Sequence, residues 1–272
     1  MKVPRIGNLE ETIRNFFFHV PMWFGQMILL LLSLIYSIRY LRKGRLSDDL
    51  RANAFARTGV LFGILGLITG AIWANFTWGA PWNNDPKQVA AAISLLIYFA
   101  YFVLRGSITD MDQKARISSV YNVFAYFIYI PLIMILPRMV ESLHPGGQGA
   151  EGNPALSGQD LDPTMRIVFW PAVAGWTLLG VWVSQLFIRI FQLQEKNGSM
   201  HKLISFLICL LFSISGFTQT VINKAETNST PVMEENGKIY VVLAVCLVVL
   251  TGIFIFIRSL EKRISRLEKQ KE

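Results

Sequence analysis

Residues 58–84 read TGVLFGILGLITGAIWANFTWGAPWNN, 27 positions without Asp, Glu, Lys or Arg. A helix needs about 20 apolar residues to cross about 30 Å of hydrocarbon. This stretch passes that length before Gly79 and Pro81 break its pattern. Six further charge-free windows surround it: Asn15–Ile38, Gln88–Leu104, Ile117–Pro137, Ile167–Ile188, Leu203–Asn223 and Ile239–Ile257. Lipid offers the backbone no hydrogen-bond partner, so each window is expected to close its own bonds as a helix. The expected fold is all-α, a polytopic integral membrane helical bundle with five spans before residue 200 and two C-terminal hydrophobic helices. Composition agrees, since 53% of the 272 residues are hydrophobic and only 16% are charged, against about a quarter charged in soluble domains.

The net charge of +8 would suit a nucleic-acid partner in a soluble chain, but its distribution points elsewhere. Arg39–Arg57, Arg105–Arg116, Arg189–Lys202 and Arg258–Lys271 hold 18 of the 26 Lys and Arg, on alternate connections. The positive-inside rule places these connections in the cytoplasm, in contact with anionic lipid. Three segments then face outward: the N-terminus through His19, the loop 74–87, and 138–166. An outward N-terminus carrying Lys2, Arg5 and Arg14 lacks anything to translocate it, so one further helix is expected to precede Met1. The 138–166 segment, rich in Gly, Pro, Asn and Gln, reads as a lid outside the membrane.

Met200-His201-Lys202, the apolar run 203–217 and the small residues Ser213, Ser215 and Gly216 have the layout of a secretory signal. A signal in mid-chain implies two joined proteins, with domains 1–199 and 200–272. The second would hold the signal-like helix 203–218, a spanning helix 239–257 and a basic tail. In that tail Leu260, Ile264 and Leu267 share one face of a short amphipathic cytoplasmic helix.

Several chemistries lack their residues. Cys209 and Cys246 lie in apolar windows, and no CxxC or CxxCH occurs, which removes thiol–disulfide exchange and a c-type cytochrome. No Gly-rich phosphate loop or Ser–His–Asp pattern supports ATP hydrolysis or acyl transfer. The charge-free windows also argue against ion-coupled transport, which intramembrane charge usually marks.

Of three histidines, His201 belongs to the signal-like start, while His19 and His144 each stand at the outward end of a helix. Each alone is an ordinary interfacial polar residue; together they can supply both axial positions of a haem iron. Zinc would call for further Cys, Asp or Glu ligands nearby. Between the second and third windows, Trp78, Gly79, Trp82, Asp85, Pro86 and Lys87 crowd one short loop. Interfacial tryptophans are common, but two of them in a loop stiffened by Gly79, Pro81 and Pro86 also make an aromatic shelf for a flat ligand. Asp85 is placed to orient a histidine or backbone group, and Lys87 to meet a propionate. Arg138 and Arg166 are further propionate partners.

The segments His19-Val20-Pro21-Met22-Trp23, Thr69-Gly70-Ala71-Ile72-Trp73, Trp78-Gly79-x-x-Trp82-x-x-Asp85-Pro86-Lys87 and Leu143-His144 resemble the tryptophan-rich WWD family of haem-handling proteins. Their order and spacing look most like CcmC, across about residues 8–195. The resemblance implies a bacterial inner-membrane, multi-pass protein whose haem site faces the periplasm. It implies non-covalent haem b held by His19 and His144 and cradled by the tryptophan loop. It further implies delivery to the haem chaperone CcmE and association with the CcmAB transporter, a delivery role that leans away from an enzyme without deciding it. Residues 200–272 look like a small CcmD-type partner. Pro81 and Asn84 stand where the family often has further tryptophans, and five spans precede residue 200 where CcmC proteins have six. Two rivals stay open: a CcsA-type cytochrome c haem lyase, which would want more histidines, and a small-molecule transporter without haem.

Overall fold

The computed structural model describes residues 12–144, 163–197 and 231–269. Within these, every long element is a helix. They are α1 (Phe16–Lys43), α2 (Leu46–Trp78), α3 (Pro86–Ser107), α4 (Met111–Ile130), α5 (Leu136–Met139), α6 (Pro163–Asn197) and α7 (Pro231–Lys269). Six helices are long and apolar enough to cross a membrane, which bears out the all-α polytopic reading. The signal-like segment 203–218, and with it Cys209 and His201, lies outside the described residues, as does most of 138–166.

Local chemistry sets the helix ends. Gly44 closes α1 in a left-handed conformation (φ 64°), and Gly79 closes α2 the same way (φ 79°). A Cβ would be strained at either position. Asp85 and Asp110 cap α3 and α4 by accepting the Lys87 and Gln113 amides, and Pro86 takes the first helical position of α3. There its missing N–H costs nothing. Pro131 loosens the end of α4 into one π-helical turn, Pro131–Ile135, where the Leu136 N–H reaches back to the Pro131 carbonyl. That turn redirects the chain toward α5 and the segment carrying His144.

The helix α1 is central and packs on α2, α4 and α6, while α7 lies along α2 and α6. Hydrophobic burial does not drive helices together inside lipid, so close packing must do so. Glycines on α2 permit it. A Cβ added at Gly59 would sit 2.7 Å from Leu30, and one at Gly63 would sit 2.6 Å from Gln26. From α6, Gly180 gives Leu29 the same room, with an added Cβ only 2.5 Å away. A polar clasp between α1 and α4 adds direction: Asn122 donates to the Ser33 and Ser37 hydroxyls, each at 2.8 Å.

The helices run past the charge-free windows, and this corrects one expectation. Asp48, Asp49 and Arg105 are buried, at the end of the bundle that carries the basic connections. The Arg105 guanidinium meets both Asp49 oxygens, at 2.7 and 2.5 Å, tying the start of α2 to the end of α3. Arg57 lies over the Phe102 and Phe191 rings, 5.0 and 5.6 Å from their centroids. Asp49 and Arg105 are paired and Arg57 is stacked on two rings, so these charges serve assembly. The amphipathic tail is the last part of α7. Its Leu260, Ile264 and Leu267 pack on Ile188 and Ile190 of α6 and on Ala54, and Arg189 pairs with Glu268.

Breaking a buried ion pair strands the remaining charge, which costs about 3–5 kcal/mol, whereas an apolar pair of similar volume is often tolerated. Arg105→Met should therefore lower the melting temperature of the detergent-solubilised protein by many degrees. Asp49→Leu with Arg105→Met should recover most of that loss. A double variant as unstable as the single one would show that the pair has some further role.

A candidate haem-binding site at the outer end of the bundle

At the end opposite the basic connections, α1 and α2 bring His19 onto Thr69. The His19 Nδ1 lies 2.9 Å from the Thr69 hydroxyl oxygen, and that hydroxyl donates to the Gly66 carbonyl at 3.1 Å. Having given its one proton away, the hydroxyl accepts from Nδ1–H. The Trp23 indole N–H, which can only donate, points at His19 Nε2 from 3.2 Å. Both contacts define the same tautomer, with the proton on Nδ1 and the lone pair on Nε2. Trp73 closes the other side edge-on, its centroid 5.9 Å from the imidazole, and its own N–H is held by the Thr12 hydroxyl at 3.2 Å. A Cβ at Gly70 would fall 2.9 Å from His19 Cε1, so this glycine makes the seat of the ring.

The second imidazole is built differently. Asp85 lies in the α2–α3 loop, is 3% exposed, and reaches beyond its own helix cap. Its Oδ1 takes the Lys87 amide at 2.9 Å and His144 Nδ1 at 2.7 Å. Its Oδ2 takes the Ser142 hydroxyl at 2.8 Å and the Leu143 amide at 2.7 Å. Burial alone would push this carboxyl up. The hydrogen bond from His144 and its charge, with Ser142 and the Lys87 amide, outweigh burial and hold Asp85 well below the usual carboxylate range. A carboxylate only accepts, so His144 turns an Nδ1–H toward Asp85, and in the neutral ring the lone pair lies on Nε2. A carboxylate behind a ligating histidine fixes ring and tautomer and makes the free nitrogen a better donor to a metal. Trp78 packs edge-on against the same ring, centroids 4.7 Å apart.

Thus α2 serves both histidines, His19 through Thr69 and Trp73, and His144 through Trp78 at its end. The two rings are near enough to interact electrostatically. The loop between α2 and α3 is stapled from within. Gln88 accepts the Asn83 amide at 2.9 Å and donates to the Pro81 carbonyl at 3.3 Å, while Asn83 donates to Ala80 at 2.8 Å. Trp82 is 43% exposed and gives its N–H to Asn84, whose backbone takes the left-handed conformation that Asn tolerates (φ 53°). Lys87 and Arg138 lie close enough to act on each other, which puts two cations beside the site.

The sequence reading named His19, His144, Trp78, Gly79, Trp82, Asp85, Pro86 and Lys87. Asp85, His144 and Trp78 meet directly; Gly79 and Pro86 shape the loop; Trp82 stands further out. Trp23, Thr69, Trp73, Gly66, Gly70, Ser142 and Gln88 were not singled out as site residues. One signal was available for Trp23, because positions four apart on a helix share a face. Two lone-pair nitrogens at one end of the bundle, aromatic rings around them and cations beside them suit a planar iron porphyrin with anionic propionates.

Comparison with known sequences bears on this. Residues 3–204 match the CcmC family, described as Heme exporter protein C, and residues 206–268 match the family described as CcmD family protein. Among similar proteins, Heme exporter protein C of Paracoccus denitrificans is 31% identical over 109 residues, 40% of this chain and 45% of that protein. That of Bradyrhizobium diazoefficiens is 27% identical over 190 residues, 70% of each chain. The cytochrome c biogenesis protein CcsA of Pelargonium hortorum is 38% identical over 93 residues, 34% of this chain and 29% of that protein. Alignments to the Paracoccus protein and its Rhodobacter capsulatus counterpart span about half of those relatives, 45% and 48%. With its tryptophan-framed histidines at one end of a bundle whose described residues include six helices long and apolar enough to cross a membrane, the chain belongs to the Heme exporter protein C family.

Proposed function

We propose that this protein binds haem non-covalently at the outer end of the bundle, between His19 and His144, and passes it on for cytochrome c maturation. One observation carries the reading: Asp85 holds His144 through Nδ1, so that Nε2 is the nitrogen left to meet an iron, at the same end of the bundle as His19. Bis-histidine ligation would leave the iron no open position for oxygen chemistry, which suits a carrier rather than an oxygenase. Trp78 and Trp82 would line the porphyrin, and Lys87 with Arg138 would meet the propionates by charge-assisted hydrogen bonds. The chain would hold the iron by donated lone pairs alone, so release needs only that those bonds break.

The resemblance to the haem-handling WWD family implies the finer assignment. The site would face the periplasm of a bacterial inner membrane, the recipient would be a CcmE-type chaperone, and a CcmAB-type transporter would associate with the complex. Residues 1–199 would be the haem-handling unit and 200–272 its CcmD-like partner. A second reading, a CcsA-type haem lyase, is favoured only by the local similarity to CcsA. It would show itself as covalent attachment of haem to a CxxCH peptide.

Full-length protein purified in detergent should carry haem b, recognisable as a bis-histidine spectrum and quantifiable as the pyridine haemochrome. His144→Ala and His19→Ala should each abolish that spectrum, and a colourless wild-type preparation, even after haem is added, would defeat the proposal. Asp85→Asn should weaken haem retention about 10–100-fold, the usual loss when a partner behind a metal ligand is removed. Retention unchanged in Asp85→Asn would mean that the carboxylate only caps α3.

A further inference from the structure

The two imidazoles are prepared unequally. Among the described residues His144 has one nitrogen on Asp85 and no partner at the other, whereas both nitrogens of His19 are engaged, Nδ1 by Thr69 and Nε2 by Trp23. The Trp23 contact occupies the lone pair that an iron would need. At 3.2 Å it is a long hydrogen bond, made by a side chain one helical turn away on the same helix. The indole lies against the bare backbone of Gly66, where an added Cβ would come within 2.7 Å of the ring and 2.9 Å of Nε1. Absence of a side chain at that position is what lets the indole reach His19.

Resting on the haem reading above, we propose that Trp23 is a lock on His19: its indole N–H covers the lone pair in the free protein and competes with iron for it. His144 then takes the iron first. His19 closes the second axial position once Trp23 swings away, and the returning N–H helps the ligand leave. The exchange is balanced. One N–H···N hydrogen bond breaks and one lone pair is donated to iron, while the proton on Nδ1 stays with Thr69. No electron or proton leaves the protein. The geometry makes His19 the labile ligand and His144 the anchoring one, and Trp23 a positioning residue that sets the difference.

The test compares wild type with Trp23→Phe, which keeps an aromatic ring and removes the N–H. Gly66→Ala, which pushes the indole off its seat, is the second variant should the first fail to fold. Full-length protein labelled with 15N-histidine is examined first without haem. The His19 Nε2 resonance should shift in both variants toward that of an unbonded imidazole lone pair, while the His144 signals stay in place. Haem titration should then show about three- to tenfold tighter binding, the worth of one hydrogen bond no longer competing. Transfer to apomyoglobin, as a haem scavenger, should slow by a similar factor. An unmoved His19 resonance, or haem bound as before or more weakly, overturns the lock while wild-type haem binding keeps the carrier reading intact. A shifted resonance in protein that never takes haem sinks the carrier reading, and the lock's role with it.

Discussion

The bundle rests on how closely α1 can approach α2. Apolar side chains gain nothing from leaving lipid for each other, so helices there are held by contact and by hydrogen bonds between them. Gly59, Gly63, Gly66 and Gly70 follow one another at spacings of four, three and four, which sets them on a single stripe of α2. Leu30, Gln26, Trp23 and His19 fill the positions facing them, in reverse order along α1. The stripe begins as packing in the middle of the bundle and ends as the seat of the imidazole. Fold and site therefore share one cause. A larger residue anywhere along it would move α1, and with α1 the histidine.

Asp85 does for the loop what the stripe does for the helices. One carboxylate caps α3, gathers Ser142 and Leu143, and orients His144. A buried carboxylate with so many donors is costly to remove and cheap to keep ionised. The π-helical turn at Pro131–Ile135 makes this convergence possible, since it bends the chain after α4 back over the α2–α3 loop. The Asp49–Arg105 pair plays the corresponding part at the opposite end, joining α2 to α3 through charge rather than through a cap. The helices are thus clamped at both ends and packed by small residues between.

Much of this was legible beforehand. Charge-free windows gave the spans because a membrane helix has few alternatives, and Asp85-Pro86 announces a helix start by residue type alone. Asp85 was read as orienting a histidine or backbone group, and it accepts from His144 Nδ1 at 2.7 Å. The buried charges were missed for a physical reason. The windows were bounded by charge, whereas helices continue past the apolar run when the flanking charges can pair with one another. Nothing in the spacing says that Asp49 and Arg105, 56 residues apart, will meet. Thr69 was equally hidden, since a threonine inside a span reads as helix packing. Its second partner, His19, lies 50 residues away. Trp82 held a detail of another kind. It was read as part of a shelf with Trp78; its N–H is held by Asn84, and the left-handed Asn84 that holds it there could not be inferred from composition.

What remains is a matter of strength. A carrier must hold its cargo well enough to keep it and loosely enough to yield it. Two equal, well-supported histidines would do only the first. The proposed site would divide the task instead. Three hydrogen bonds fix Asp85, and Asp85 in turn fixes His144, so in the proposed carrier that ligand would be stiff and electron-rich. His19 rests on a neutral hydroxyl, which adds little to its basicity, and its donor nitrogen already has a neighbour of its own. Charge behind one ligand and none behind the other is a gradient built from side chains alone. It gives a direction in which the weaker bond goes first, without any moving domain or change in oxidation state.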